Sequence, residues 1–131
     1  MKIVADTNTF LAVALDEPEK VGLIEATDGH ELVAPAVLPY EIGNALSALV
    51  RRKLITESQL VVAWDATAAV PVELAAVDVR AALLLAAHFG IYAYDAYFLQ
   101  CAQDTKCPLL TLDRGLKRIA KKLSIKLVEL S

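Results

Sequence analysis

Short apolar runs alternate along this chain with longer helical patterns, and that alternation limits the architecture more than any other feature of the sequence. Lys2 to Ala5, Glu31 to Ala34, Val72 to Ala75, Leu109 to Leu112 and Lys126 to Leu130 each read as a strand. The stretches between them carry helical signals. Leu38, Ile42, Ala45, Leu46 and Leu49 recur at spacings of three and four in a pattern that Pro35 opens. Thr56 with Gln59 three residues later is a capping box for a helix from Glu57 to about Ala69. Pro18 suits a first helical turn, Asp78 can cap a helix closed by Gly90, and further helices are expected over Tyr94 to Gln103 and Arg114 to about Leu123. Strands separated by helices form parallel sheets covered on both faces, so the expected fold is a three-layer α/β/α sandwich.

Length and composition support a single folded unit. The 131 residues suit one domain, and 56% hydrophobic against 22% charged residues exclude a disordered chain. A mean hydropathy of +0.48 is high, yet the longest apolar run, Ala81 to Ala87, falls far short of the roughly 20 residues that span a bilayer. No membrane span is expected, and the surplus apolar surface suits a subunit interface. Asp6 and Asn8 interrupt the apolar start too early for a signal peptide, so a cytoplasmic protein is expected. Cys101 and Cys107 then read as reduced, buried thiols.

Two of the expected strands end in an aspartate, Asp6 after Ile3-Val4-Ala5 and Asp113 after Leu109 to Leu112. The carboxyl ends of a parallel sheet share one edge, where ligands bind, so Asp6 and Asp113 should be neighbours. Each also suits a helix N-cap, and either aspartate alone is explained by capping. Glu41 lies between Leu38 and Ile42 in an apolar stripe, and Asp95 lies among Tyr94, Tyr97, Phe98 and Leu99. An ionised carboxylate in such surroundings is costly unless it is paired or bound to metal. Four converging carboxylates repel, and a hard divalent cation relieves that repulsion. Oxygen donors favour Mg²⁺ or Mn²⁺ over zinc, and the chain's two histidines, His30 and His88, read as helix-face or surface residues. The chemistry that follows is metal-assisted phosphodiester hydrolysis. No nucleophile elbow, P-loop or dinucleotide-binding glycine motif offers an alternative.

These residues, in order, resemble a known family. Val4-Ala5-Asp6-Thr7-Asn8, Tyr40-Glu41-Ile42-Gly43-Asn44-Ala45-Leu46, Tyr94-Asp95-Ala96 and Leu110-Thr111-Leu112-Asp113-Arg114 are similar to the PIN domain, in particular its VapC-type toxins. The likeness extends over essentially the whole chain. It implies a five-stranded parallel sheet of order 3-2-1-4-5 and a metal-dependent endoribonuclease, with Asp6, Glu41, Asp95 and Asp113 as catalytic and metal-site acids. It also matches Thr7, Asn8, Asn44 and Thr111 to residues that would hold the carboxylates or the attacking water in place, although strand-end and turn hydrogen bonding also accounts for Thr7, Asn8 and Thr111. Proteins of this group are usually toxins of two-gene systems, form dimers and are inhibited by an antitoxin. The resemblance therefore implies an RNA substrate, a homodimer and an antitoxin partner, with Leu11, Val13, Ala14, Leu15 and Trp64 as partner-facing candidates. Trp64 reads equally well as a core anchor.

The net charge of −3 argues against a protein that simply coats nucleic acid. Without the four site acids, however, the remainder carries no net negative charge. From Arg114 to Lys126 the chain has six basic residues and no acid; Lys117 with Lys121 and Arg118 with Lys122 form two adjacent rows on one helical face, with Arg114 nearest Asp113. That face is either merely solvated or, starting beside Asp113, a track for RNA phosphates. Two other functions compete. A receiver-type phosphoacceptor needs paired acids after its first strand and a lysine after its last, whereas Asp6 stands alone and Lys126 opens its strand. A catalytically silent PIN-like binding module would be marked by a missing acid, and all four are present.

Overall fold

The computed structural model describes residues 1–130. Its elements run β1 (Lys2–Ala5), α1 (Thr7–Ala14), α2 (Lys20–Thr27), β2 (Glu31–Pro35), α3 (Leu38–Arg51), α4 (Glu57–Ala68), β3 (Val72–Ala75), α5 (Val79–Phe89), α6 (Ala93–Thr105), β4 (Leu109–Leu110) and α7 (Arg114–Lys122). The strands pair in parallel in the order β3-β2-β1-β4. Ile3, Val4, Val33, Leu109 and Leu110 are all but fully buried, as expected for strands covered on both faces. Helices α1 to α4 pack on one another, while α5 lies along α6 and α6 against β1 and β2. The three-layer sandwich expected from the alternation is the observed one.

The fifth strand is a correction. Lys126 to Leu130 does not form a strand; it is reduced to one parallel bridge between Leu127 and Leu109. The Leu109 N–H to Lys126 carbonyl and Val128 N–H to Leu109 carbonyl bonds, at 2.8 and 2.9 Å, hold it there, with Leu127, Val128 and Leu130 packed against the core. Its position beyond β4 keeps the expected order. Strand β4 itself stops at Leu110, and beyond it the chain turns locally, with the Asp113 N–H bonded to the Thr111 hydroxyl. Pro35 ends β2 and does not open a helix; Pro39, at the start of α3, plays that part. Pro18 likewise falls in the turn before α2.

The capping signals in the sequence hold. Thr56 and Gln59 form a complete capping box, and Asp78 accepts from the Ala81 N–H at 3.0 Å. Gly90, at φ +66°, ends α5 in the left-handed conformation that glycine adopts most readily. Leu11 belongs to the core, which takes it out of the partner-facing set, whereas Val13, Ala14 and Leu15 are half-buried beside it. Trp64 is 38% exposed and lines a cavity of about 170 Å³ with Leu38, Ile42 and Leu74. Cys101 is buried and Cys107 half-buried, both free, and burial pushes the Cys101 thiol up to about 12. Among the described residues no helix is long and apolar enough to cross a membrane.

Candidate metal centre

Strand order sets the position of the site. Strand β1 lies between β2 and β4, so the chain's connections diverge on either side of it and leave a crevice at the carboxyl ends of β1 and β4. The register pairs Val4 with Leu109 and Ala5 with Leu110, and the Asp6 N–H continues it by bonding to the Leu110 carbonyl at 3.2 Å. Asp6 thereby comes opposite Thr111. The Thr111 hydroxyl donates to Asp6 Oδ2 and accepts from the Asp113 N–H at 3.1 Å. One buried hydroxyl, 2% exposed, thus ties together both strand-end aspartates.

Each of the four acids stands at the beginning of a helix. Asp6 caps α1 by accepting from the Thr9 N–H at 3.2 Å, and Asp113 caps α7 by accepting from the Leu116 N–H at 3.0 Å. Glu41 and Asp95 lie in the first turns of α3 and α6. The positive ends of these helices favour ionised carboxylates. Capping and a role in the site are therefore not alternatives for Asp6 and Asp113, since one carboxylate oxygen caps and the group still faces its neighbours.

The electrostatics show which acids share a space. Asp6, 6% exposed, is pushed up from 3.8 to about 6, chiefly by burial. Its bonds from Thr111 and Thr9 work against that rise, while the charges of Glu41 and Asp113 add to it. Burial also raises Glu41, with a contribution from Asp95, and raises Asp95, with a contribution from Asp113. Charge thus links Asp6 to Glu41 and Asp113, Glu41 to Asp95, and Asp95 to Asp113, in a series of neighbours along one edge. No lysine or arginine neutralises it: the ion pairs among the described residues are Lys2 with Glu73 and Lys20 with Asp16, neither involving a site acid.

Two buried atoms at the site lack partners. Thr7 Oγ1 stands near enough to Glu41 to favour its charged form, yet neither Thr7 Oγ1 nor Glu41 Oε2 makes a hydrogen bond. Uncompensated carboxylates with an orphaned buried oxygen are the donor set of a hard cation. The cluster is open, for among the described residues no three His, Cys, Asp or Glu side chains stand together closely enough to hold a metal ion. That spacing still fits Mg²⁺, which is usually bound through one or two carboxylates and several waters. On donor chemistry the residues fit a divalent cation.

The other expected residues are placed less uniformly. Asn8 and Asn44 are exposed, and among the described residues no hydrogen bond joins the Asn44 amide to Glu41. Arg114, Arg118 and Lys121 are exposed on α7 and Lys117 is half-buried, with Leu116 and Ala120 forming the buried side of the helix. Gly115 was not singled out by the sequence. A Cβ there would come within 3.2 Å of Asp113 Oδ1, so its lack of a side chain leaves room for that carboxylate. The signal was the glycine two residues after the strand-end aspartate.

A family model described as PIN domain matches residues 3–122. Ribonuclease VapC3 of Pyrobaculum aerophilum is 31% identical over 121 residues, which cover 88% of this chain and 92% of the relative. The crystal structure of VapBC2 from Rickettsia felis bound to a DNA fragment from their promoter aligns with a TM-score of 0.71 at 15% identity, covering all of both chains. That of PAE2754 from Pyrobaculum aerophilum aligns with a TM-score of 0.67 at 18% identity, covering 95% of this chain and 90% of the other.

Two outcomes follow from this geometry. Asp6 binds its proton more tightly folded than unfolded, so between pH 3.8 and about 6 the folded state holds more protons and stability declines as pH rises. The penalty is fully present above pH 6 and amounts to about 3 kcal/mol. In metal-free protein, Asp6→Asn, which keeps the cap, is expected to raise Tm relative to wild type at pH 7.5 and to lose that advantage near pH 4. Thermal melts across that range in EDTA measure it; a gap that does not depend on pH would contradict the assignment. Thr111→Val, which orphans the Asp113 N–H and removes the donor to Asp6, is expected to cost about 1–3 kcal/mol in denaturant unfolding. Thr111→Ser should restore most of that loss, and an equal loss in both variants would show the hydroxyl to be dispensable.

Proposed function

The chain belongs to the PIN domain family, and from that premise we propose that it is a Mg²⁺- or Mn²⁺-dependent endoribonuclease, the toxin of a VapBC-like toxin–antitoxin pair. The observation that carries this reading is the gathering of four carboxylates at helix starts, Asp6 and Asp113 joined through Thr111 at the carboxyl ends of β1 and β4, with no ion pair to any of them among the described residues. Asp6, Glu41, Asp95 and Asp113 would hold the cation, one or two of them directly and the others through its bound waters. When bound, it would supply Lewis-acid activation of water and neutralise phosphate charge.

The chain's own residues account for the rest. Thr111, by donating to Asp6, fixes the rotamer of the most buried acid and favours its charged, ligating form. Its link to the Asp113 N–H keeps the start of α7 in step with the end of β1. Arg114 stands next to Asp113 and would meet the phosphate under attack. Arg118 and Lys121, with the half-buried Lys117 between them and the site, would follow the RNA backbone along α7. Hydrolysis by water would leave a 5′-phosphate, as metal-dependent nucleases commonly do.

Membership in the family removes the phosphoacceptor alternative. The silent-module reading is opposed by the presence of all four acids. The homodimer and the antitoxin remain part of the proposal, supported by Val61, Val62, Leu83 and Leu84, which lie on the surface of α4 and α5 at 49% to 67% exposure.

The test is hydrolysis of structured RNA by purified, antitoxin-free protein with Mn²⁺ or Mg²⁺. Cleavage is expected with the metal and not in EDTA, and Asp6→Asn and Asp95→Asn should each lower it by about a hundredfold or more, as loss of a group that stabilises charge in the transition state does. Cleavage that persists in EDTA, or is equal in both variants and wild type, would refute the assignment.

A further inference from the structure

A glycine inside a helix costs stability relative to alanine, because its backbone loses more freedom on ordering. Helix α7 carries one as its second residue, Gly115, and its backbone lies outside the left-handed region that Gly29 and Gly90 occupy. Conformation therefore does not call for glycine there; space does. A Cβ at Gly115 would lie 3.2 Å from Asp113 Oδ1, closer than such a pair of atoms normally comes, and would meet nothing else within 4 Å beyond the adjoining residues and the helix backbone. Gly43 provides the contrast. It follows Glu41 in α3 by the same two positions, yet a Cβ there would meet nothing within 4 Å.

The crowded oxygen is already committed. Asp113 Oδ1 accepts from the Leu116 N–H at 3.0 Å, which sets the rotamer of the carboxylate, while Oδ2 makes no hydrogen bond among the described residues. The backbone of Asp113 is held as well, since its N–H donates to the Thr111 hydroxyl at 3.1 Å and that hydroxyl donates to Asp6. With the backbone tied to the site, the rotamer of Asp113 is the freedom that remains. Asp113 is exposed, so it would yield to a methyl group at position 115 by turning, without disturbing the core. Turning breaks the cap and re-aims Oδ2. Resting on the metal-dependent ribonuclease reading above, we infer that Gly115 is a positioning residue: by carrying no side chain it lets Asp113 cap α7 with Oδ1 and keep Oδ2 free for the cation or one of its waters. A glycine that weakens its own helix thereby serves the acid two residues before it.

The experiment is a double-mutant cycle read in two ways, by urea unfolding in EDTA and by Mn²⁺ affinity. Gly43→Ala is expected to favour the folded state by about fivefold and to leave Mn²⁺ affinity as in wild type. Gly115→Ala should fall short of that gain or lose stability, and should weaken Mn²⁺ binding by about 10- to 100-fold. In an Asp113→Ala background, where the crowded oxygen is gone, the same Gly115→Ala change should recover the helical gain and lower Mn²⁺ affinity no further. Wild-type Mn²⁺ affinity in Gly115→Ala, or a Gly115→Ala effect on stability that is the same with and without Asp113, would overturn the inference. Cleavage of RNA with Mn²⁺, assayed in parallel, separates the two readings. Active wild type whose Gly115→Ala variant binds and cleaves normally defeats the positioning role alone. Mn²⁺ binding that depends on Gly115, without cleavage by the wild type, defeats the hydrolytic reading alone, and a wild type that binds no Mn²⁺ overturns both.

Discussion

A carboxylate taken out of water must be compensated, and at Asp6 the fold compensates it only in part. The Thr111 hydroxyl and the Thr9 N–H donate to it, yet burial and the charges of Glu41 and Asp113 still push it up to about 6. A protein selected for stability alone would place an asparagine or an apolar residue there. Burial raises Glu41 and Asp95 as well, and among the described residues no lysine or arginine pairs with any of the four acids. In the function proposed above, a divalent cation would complete this balance.

The topology makes this arrangement attainable. Parallel strands put all their carboxyl ends on one edge, and the divergence of the chain on either side of β1 opens a crevice there. Helix starts gather at the same edge, bringing four acids with the positive ends of α1, α3, α6 and α7 beneath them. Net charge hides this organisation. The figure of −3 combines a concentrated acidic edge with a scaffold that is not acidic, and helix α7, beginning at Asp113, carries basic residues away from that edge.

Much of this was legible in the sequence because the relevant signals are local. Strand runs ending in aspartate, a glutamate interrupting an apolar stripe and the Thr56–Gln59 box each announce themselves within a few residues. What was not legible depends on contacts between distant segments. The final strand shrank to a single bridge because edge pairing is decided by the neighbour, not by the β-propensity of Lys126 to Leu130. Leu11 looked like a partner contact from its closeness to Asp6, but α1 turns it into the core. Thr111 could be suspected from its spacing to Asp113; that it would reach across to Asp6, 105 residues away, needed the register of β1 and β4. The room that Gly115 leaves for Asp113 is likewise a property of the assembled edge.

Direct titration of the metal-free protein with Mn²⁺, following the resonance signal of the free ion, tests the central claim that these four carboxylates form a divalent-cation site. The expected result is saturable binding near neutral pH that weakens as pH falls through about 6, where Asp6 gains its proton, and that Asp95→Asn and Glu41→Gln each diminish. Binding that is absent at millimolar Mn²⁺, or that is the same in both variants as in wild type, would contradict it.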